Sequence, residues 1–481
     1  MRDLLLILTL CSAAFADRPN FLFIVSEDNG PDLGCYGNRF VSTPHLDQLA
    51  SEGIRFDRAW VPQAGCSQSR AALLTGLYPH QNGQIGLATW KFRLYQRDTP
   101  NMVRSLKSAG YRTGLLGKLH INPEEAFPFD MHEIRKSNFS RKQQQDYIRQ
   151  AEKFIRASGD TPFLLSVNFP DAHRPFLRQA DGRPGQLVRA ADVRSPPSFG
   201  LDTQELRKDT ADYYCCMNRL DELVGELLKT LKSTGHNEDT VVIYLGDHGA
   251  DLLRGKRTCL EGGLRIPLIM RLPGGLSGHV ENRLVSTLDL LPTVLELADC
   301  PPIPGLPGRS LRRLVTGTID QPWRSFLFAE YHLHSAHNFY PQRCVRGERF
   351  KLIENLQPMT MNPGYEFTIN RFYPGLQADI DHADDSVQAA YRTMRVPPKW
   401  ELYDLRSDPH EFVNLAASPA YAEQLQRLQS ELAAWRTTTA DPLLNAENVK
   451  RLKQEIEACI VDGKPRKDRL TLTYPDYFFE P

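Results

Sequence analysis

Residues 65–76 read GCSQSRAALLTG, and this stretch indicates the fold more clearly than any other part of the chain. Cys66 stands just before a segment, residues 69–75, that favours the start of a helix. Arg70 follows the cysteine by four positions. A helix N-terminus beside residue 66 would favour anionic groups. On its own, Cys66 would be interpreted as a buried or disulfide-bonded cysteine, but these neighbours indicate a role in chemistry.

Short apolar runs alternate with helical patterns on both sides of this stretch. Residues 20–26, 112–116, 162–169 and 240–245 are apolar runs of strand length that end in polar residues. Residues 203–231 carry apolar side chains at helical spacing. Buried strands that alternate with helices predict an α/β fold with a large, mainly parallel sheet flanked by helices.

The pattern changes near residue 320, where short strands follow one another without long helices between them. The predicted strands are residues 326–330, 342–346, 350–354 and 401–405. We therefore expect an N-terminal domain over residues 17–320 and a smaller C-terminal α+β domain, residues 321–481, with an antiparallel sheet.

Composition excludes several classes of protein. The chain has 481 residues with 58 basic and 58 acidic side chains, so its formal net charge is zero and favours neither nucleic acid nor an anionic membrane as a partner. With 41% hydrophobic residues it is too apolar for a disordered chain. Nine cysteines without a C-x-x-C spacing argue against a zinc site and are compatible with one to three disulfides or with none.

The first 16 residues have the pattern of a secretory signal peptide. Arg2 precedes the apolar run 4–10, and small residues end at Ala14-Phe15-Ala16. We expect cleavage after Ala16 and a secreted or periplasmic protein. No later stretch reaches membrane-spanning length.

Acidic residues stand just beyond two of the predicted strands. Glu27-Asp28 follows the first strand, and Asp247-His248 follows the strand that ends near residue 245. Ligand sites of parallel sheets gather at the carboxyl ends of strands, and carboxylates suit calcium or magnesium. Each pair taken singly could instead be a solvated loop or a helix cap.

At these residues the chain resembles the type I sulfatases, whose signature is C-x-(P/A)-S-R followed by x-x-L-x-T-G. The resemblance also covers residues 117–120, His173, residues 247–249, Lys256, residues 261–263 and residues 400–415. It implies an alkaline-phosphatase-like sandwich fold. Softer likenesses at residues 43–49, 76–83, 256–261 and 340–356 point to the N-sulfoglucosamine sulfohydrolase (sulfamidase) subfamily.

The resemblance implies a modified nucleophile and one Ca²⁺ ion. A formylglycine-generating enzyme would convert Cys66 to formylglycine, whose hydrate attacks sulfur. The implied calcium ligands are Glu27, Asp28, residue 66, Asp247 and His248. The sequence departs from the family where Glu27 replaces the usual Asp and where Gln68 replaces Pro or Ala. His248 stands where relatives have Asn or His, so it would bind calcium or the sulfate.

The resemblance also assigns the remaining catalytic roles. Arg70 would stabilise the aldehyde hydrate, and Lys118 and Lys256 would bind the sulfonate oxygens. His120 would position or deprotonate the hydrate, and His173 would be the acid for the leaving atom.

A sulfated glycan is the substrate class that these roles imply. Polar residues that could line a sugar pocket are Arg257, His332, His334, His337 and Arg343. An exposed loop of the C-terminal domain explains them equally well. The sequence leaves the oligomeric state open and is compatible with a homodimer.

The predicted function is removal of sulfate from a sulfated sugar, with N-sulfoglucosamine at the end of a heparan-type chain as the first choice. An O-sulfatase acting on another polysaccharide is the nearest alternative. A phosphatase would place Ser or Thr at residue 66 and gather ligands for a second metal, which this sequence does not offer. If Cys66 stays a thiol, the chain would be a non-catalytic sulfated-glycan binding protein.

Overall fold

The computed structural model describes residues 18–318, 322–336 and 338–479. The expected signal peptide, residues 1–16, lies outside this part of the chain, as do His337 and the expected domain boundary at residue 320. None of the helices within the described ranges combines the length and the apolar character needed to cross a bilayer.

One large sheet contains the strands of the first 300 residues. These strands are β1 (Asn20–Ser26), β2 (Ile54–Trp60), β3 (Arg112–Gly117), β4 (Met131–Glu133), β5 (Phe163–Phe169), β6 (Thr240–Gly246), β7 (Arg265–Arg271), β8 (His279–Glu281) and β9 (Val285–Ser286). The order across the sheet is β4-β3-β5-β1-β6-β7-β2-β8, and β9 also pairs with β2. The pairs are parallel except that β7 runs antiparallel to both β6 and β2. The mainly parallel sheet expected from the sequence is therefore confirmed.

Helices cover both faces of this sheet and continue into the C-terminal part. They are α1 (Pro44–Glu52), α2 (Cys66–Thr75), α3 (Pro79–Asn82), α4 (Met102–Ser108), α5 (Gln145–Ser158), α6 (Gln204–Ser233), α7 (Glu261–Leu264), α8 (Leu290–Leu297), α9 (Arg312–Thr316), α10 (Pro363–Phe372), α11 (Leu376–Asp381), α12 (Asp385–Arg395), α13 (Ala422–Thr438), α14 (Ala446–Glu457) and α15 (Tyr474–Tyr477).

Strand β1 shows why the sheet needs helices on both sides. Its side chains alternate between two apolar cores, with Leu22 and Ile24 facing the layer of α1, α5 and α6. Phe21, Phe23 and Val25 face the opposite layer, which includes α8. All five side chains are buried, as expected of a central strand in a parallel sheet.

The smaller antiparallel sheet is also confirmed. It consists of β10 (Leu327–Tyr331), β11 (Gln342–Arg346), β12 (Phe350–Asn355) and β13 (Trp400–Asp404), in that order. Helix α13 packs against β11 and β12. A short hairpin, β14 (Ile460–Val461) with β15 (Lys464–Pro465), follows near the end of the chain.

Helices α10 to α12 belong spatially to the large sheet, although they lie within the C-terminal part of the sequence. Tyr365, Ile369, Tyr373, Val387 and Tyr391 join the same apolar core as Leu22 and Ile24. The sequence pattern did not predict these helices. Their packing joins the two predicted domains.

Candidate active site

The predicted site residues meet at the carboxyl ends of four neighbouring parallel strands. Glu27 and Asp28 follow β1, Lys118 and His120 follow β3, His173 follows β5, and Asp247 and His248 follow β6. The strands are adjacent in the order β3-β5-β1-β6. Cys66 is the first residue of α2, so the N-terminus of that helix lies beside the strand ends.

Cys66 is buried at the centre of this group. Its Sγ lies 3.4 Å from Nε2 of His248 and 3.4 Å from Nζ of Lys256. Burial alone would raise the pKa of the thiol, but Lys118 and Lys256 outweigh it and hold that pKa well below its ordinary value. The site therefore favours an anion at residue 66.

Arg70 connects three of the strand ends. Its guanidinium donates to Asp247 Oδ2 at 3.1 Å, to Glu27 Oε1 at 3.0 Å and to the carbonyl oxygen of Lys118 at 2.9 Å. Lys118 also pairs with Glu27 Oε1, at 2.8 Å. Arg70 is 4% exposed, so this network fixes the site from within.

The residues present fit a bound cation. Asp28, Cys66, Asp247 and His248 each offer one ligand atom, and these atoms lie within 4.8 Å of one another. The Oε2 atom of Glu27 is buried and has no hydrogen-bond partner in the described part of the chain. Carboxylate oxygens of this kind are the ligands that Ca²⁺ prefers.

His248 shows the effect of the carboxylates on their neighbours. Its Nδ1 donates to the carbonyl oxygen of Gly249 at 2.8 Å, so Nε2 is the atom that faces Asp28 at 3.2 Å. Burial would lower the pKa of His248, but Asp247 and Asp28 raise it to about 9. A metal ion would compete with that proton for Nε2.

Several of these residues adopt strained backbone conformations. Asp28, His120 and Arg257 have φ values of 49°, 60° and 71°, in the left-handed region that residues other than glycine rarely adopt. Such strain persists where the surrounding structure imposes it, commonly at functional sites. Asp28 and His120 follow the ends of β1 and β3, and Arg257 precedes α7.

His120 and His173 have different surroundings. Neither ring nitrogen of His120 has a hydrogen-bond partner in the described residues, and burial with the charge of Lys118 lowers its pKa to about 4. His173 donates from Nδ1 to the carbonyl oxygen of Arg174 at 2.5 Å. Burial would lower the pKa of His173, but Asp28 contributes to raising it above its ordinary value.

Arg257 and His334 lie near Cys66 and Lys256. Arg257 pairs with Asp251 Oδ1 at 2.5 Å, while its buried Nε atom has no partner in the described residues. The buried Nδ1 of His334 is likewise unpaired there. Burial and the charge of Lys256 hold the pKa of His334 well below its ordinary value. Unsatisfied buried donors and acceptors of this kind are available to a bound ligand.

The structure does not bring His332 and Arg343 to an open pocket. Both side chains are fully buried, and neither lies on an exposed loop. Arg343 pairs with Asp441 at 2.7 Å and donates to His332 Nε2 at 3.2 Å. His332 in turn contacts Gln63 Oε1 at 3.2 Å. His332 and Arg343 thus belong to a buried network that contacts the loop of His334, because Gln63 also donates to the carbonyl oxygen of Leu333.

Two further residues of the site were not singled out as functional by the sequence. Asn168, near the end of β5, accepts a hydrogen bond from Arg70 at 2.6 Å. Its position at a strand end is the signal that could have revealed it. Gln68 donates from Nε2 to the carbonyl oxygens of Leu333 at 2.7 Å and Ile85 at 3.3 Å. Gln68, which stands where the signature has Pro or Ala, thus connects α2 to the loop of His334.

Among the eight described cysteines the structure contains no disulfide. Cys66 therefore has no covalent partner that would compete with a role in the site. Cys215, Cys216, Cys259, Cys344 and Cys459 are buried thiols.

Comparisons with known proteins agree with this geometry. A family model described as Sulfatase matches residues 19–300, and one described as N-sulphoglucosamine sulphohydrolase, C-terminal, matches residues 246–367. Human N-sulphoglucosamine sulphohydrolase is 32% identical, with 91% of this chain and 93% of that protein covered. An ulvan-active sulfatase of Formosa agariphila is 28% identical, with 88% and 76% covered.

A solved structure shows the same fold. A 2-O GAG sulfatase superimposes with a TM-score of 0.68 at 22% identity, over 95% of this chain and 97% of that one. The expected alkaline-phosphatase-like architecture and the resemblance seen in the sequence are both confirmed. The chain belongs to the sulfatase family of hydrolases.

Proposed function

We propose that this chain is a calcium-dependent sulfatase that removes the N-sulfate of a glucosamine unit at the end of a heparan-type glycan. The observation that carries the proposal is the buried position of Cys66, at a helix N-terminus and between Lys118 and Lys256. The choice of an N-sulfated substrate is supported by the match of residues 246–367 to the C-terminal region of N-sulphoglucosamine sulphohydrolases.

Formylglycine made from Cys66 would supply the hydrated aldehyde oxygen that attacks sulfur. A calcium ion held by Glu27, Asp28, residue 66, Asp247 and His248 would supply positive charge for the sulfonate oxygens. Both groups would sit in a water-poor pocket, because these five side chains are at most 2% exposed. Electrostatic stabilisation is stronger in such surroundings.

The chain's own cations complete the sulfonate site. Lys256 Nζ lies 2.9 Å from both carboxylate oxygens of Asp28, and Lys118 pairs with Glu27 at 2.8 Å. These pairs hold the two ammonium groups beside Cys66, where sulfonate oxygens would arrive. Negative charge that develops on those oxygens is therefore met by preorganised donors.

The two histidines would move protons on opposite sides of the reaction. His120, with its lowered pKa and unpaired nitrogens, would accept a proton from the hydrate. His173 would donate from Nε2 to the leaving nitrogen or oxygen, since Nδ1 is held by the carbonyl oxygen of Arg174.

Arg257 and His334 are the proposed contacts to the sugar. Their unpaired nitrogen atoms offer polar contacts to hydroxyl or sulfate groups. His332 and Arg343, which the sequence placed in the same role, would instead keep the loop in position.

The first test is the mass of the tryptic peptide 59–70 from protein produced together with a formylglycine-generating enzyme. We expect a peptide lighter than the cysteine form, and release of sulfate from N-sulfated glucosamine by the modified protein. A persistent thiol at residue 66 with no turnover would contradict the proposal. Glycan binding that survives Cys66→Ala would then favour a binding protein.

An O-sulfatase is the second candidate, favoured by the likeness to the ulvan-active enzyme. Paired disaccharides that carry a single sulfate on nitrogen or on oxygen separate the two functions. Turnover of the O-sulfated compound alone would replace the N-sulfated substrate in the proposal and leave the chemistry at residue 66 unchanged.

We also propose export through cleavage after Ala16. N-terminal sequencing of the secreted or periplasmic protein should begin at Asp17. A mature protein that retains Met1 would contradict this part of the proposal.

A further inference from the structure

Residues 138–144, called here the clamp segment, contact His173 from two directions. The ring of Phe139 stacks on the imidazole of His173, with centroids 4.0 Å apart and planes inclined by 15°. From the same segment, the guanidinium of Arg141 donates to the backbone carbonyl oxygen of His173. One contact therefore fixes the ring and the other fixes the backbone.

The clamp segment is itself anchored in the core. Arg141 is fully buried and donates from Nε to Asp171 Oδ1 at 3.0 Å. Asp171 also receives two hydrogen bonds from Arg219 of α6, at 2.6 and 2.8 Å. Its backbone carbonyl oxygen accepts from the amide of Glu27 at 3.0 Å. The clamp is thus tied both to a long helix and to the end of β1.

Phe139 also lies beside Lys118, one of the two lysines proposed to bind the sulfonate oxygens. Lys118 Nζ is 5.5 Å from the centroid of the Phe139 ring, a distance typical of a cation–π contact. Phe139 is partly exposed, so its ring lies at the edge of the site, next to both the proposed acid and Lys118.

We infer that the clamp segment, through Phe139 and Arg141, positions the imidazole of His173 for proton transfer to the leaving atom. The inference rests on the proposed sulfatase function and adds Phe139 as a positioning residue. In that step the nucleophilic oxygen at residue 66 gives its proton to His120 and forms a bond to sulfur, while the bond from sulfur to the leaving atom breaks. The electron pair of the broken bond stays on the leaving atom, which takes the proton of His173 Nε2.

The geometry explains why stacking matters. The hydrogen bond from Nδ1 to the carbonyl oxygen of Arg174 selects the tautomer, but it is a single contact at one edge of the ring. A stacked neighbour restrains rotation of the imidazole about its side-chain bonds. Without Phe139 the Nε2 atom would sample directions away from the leaving atom, and general acid catalysis depends on that alignment.

The test compares Phe139→Leu with the matched control Phe139→Tyr, which keeps an aromatic ring. Two substrates are used: an N-sulfated glucosamine, whose leaving group needs a proton, and an aryl sulfate, whose leaving group does not. General acids contribute about 10²–10⁴-fold, so Phe139→Leu should lower kcat on the sugar by about tenfold or more. On the aryl sulfate it should lower kcat by about threefold or less, and Phe139→Tyr should resemble the parent on both substrates.

A double variant of Phe139 and His173 gives a second test of the inference. In a His173→Ala background, Phe139→Leu should add no further loss on the sugar, because the group that it positions is gone. Equal losses on both substrates, no loss on the sugar, or a full additional loss in the His173→Ala background would each overturn the inference.

A measurement without turnover keeps the inference separate from the proposed function. NMR of histidine-labelled protein, with the His173 signal assigned through His173→Gln, should show a ring-current shift that disappears in Phe139→Leu and remains in Phe139→Tyr. An unchanged signal in Phe139→Leu would overturn the stacking itself. If the parent protein hydrolyses neither substrate, the proposed function fails, while this measurement still decides whether Phe139 orders the ring.

Discussion

Acid should weaken this protein through one buried carboxylate, Glu330 at the end of β10. Its Oε2 pairs with Nδ1 of His80 at 2.6 Å, and its Oε1 accepts from the amide of the same histidine at 2.8 Å. Burial would raise the pKa of Glu330, but His80, His332 and Arg343 outweigh it and lower that pKa from 4.5 to about 2. The carboxylate is therefore more acidic in the folded chain than in the unfolded chain.

The sign of the pH dependence follows directly. A lowered pKa stabilises the fold above the unfolded pKa of 4.5, and that stabilisation is lost as the pH falls towards 2. A shift of this size is worth about 3 kcal/mol at pH 6 and about half of that at pH 3. Glu330→Gln lacks the titrating group, so the difference in free energy of unfolding between the two proteins should shrink over this range.

Denaturant unfolding followed by circular dichroism between pH 3 and pH 6 measures this difference. The matched control is Glu348→Gln, which changes an exposed glutamate in the turn between β11 and β12. The control should track the parent protein at every pH. A difference for Glu330→Gln that is the same at pH 3 and pH 6 would refute the argument that the buried pair lowers the pKa of this carboxyl.

Three further outcomes follow from the site. Lys256→Ala should lower kcat on a sulfated sugar by about 10²-fold or more, because it removes a preorganised cation beside residue 66. It should also lower Tm, because the buried carboxylate of Asp28 loses the ammonium group that lies 2.9 Å away; an unchanged kcat in a sulfate-release assay would contradict the role of Lys256. Chelation with EGTA should lower both activity and Tm, since an ion that binds only the folded state stabilises that state. In Asp28→Asn, scanning calorimetry should show no change of Tm when EGTA is added. Gln68→Ala should lower the free energy of unfolding by about 1 kcal/mol through loss of its hydrogen bond to Leu333, yet raise the fraction of formylglycine measured by mass spectrometry. An equal fraction of formylglycine in both proteins would show that Gln68 does not limit conversion.

The sequence predicts that Glu27-Asp28 and Asp247-His248 lie together because both pairs follow a local rule, whereas Lys118 was singled out through the resemblance. Asp28, Lys118 and Asp247 each stand just past a strand of a parallel sheet, where side chains of neighbouring strands meet. Hydrophobic runs locate those strands, so the approximate place of each residue can be read without any long-range information. Asn168 is the penultimate residue of β5, at the same edge of the sheet, and could have been included.

The supporting residues could not be found in this way, because their partners are distant in sequence. The buried Arg343 pairs with Asp441, which is 98 positions away in the sequence. The buried Asp171 pairs with Arg219, which is 48 positions away. A charged residue without a visible partner is ordinarily assigned to the surface, so the sequence placed Arg343 in an open pocket or on an exposed loop. Helices α10 to α12 were missed for a related reason. Short helices gain most of their stability from packing, here against the core of the large sheet.

The packing of α10 to α12 also affects the order of events during synthesis. The core around β1 is completed by residues as late as Tyr391, so the ribosome must make more than four fifths of the chain before that core can close. Until then one of the two cores that enclose β1, the strand whose end lies beside Cys66, is incomplete. A modifying enzyme that recognises residues 65–76 in an extended chain would thus have most of the translation time in which to act. For the proposed conversion of Cys66, the late position of α10 to α12 would lengthen the interval between synthesis of the cysteine and completion of this core.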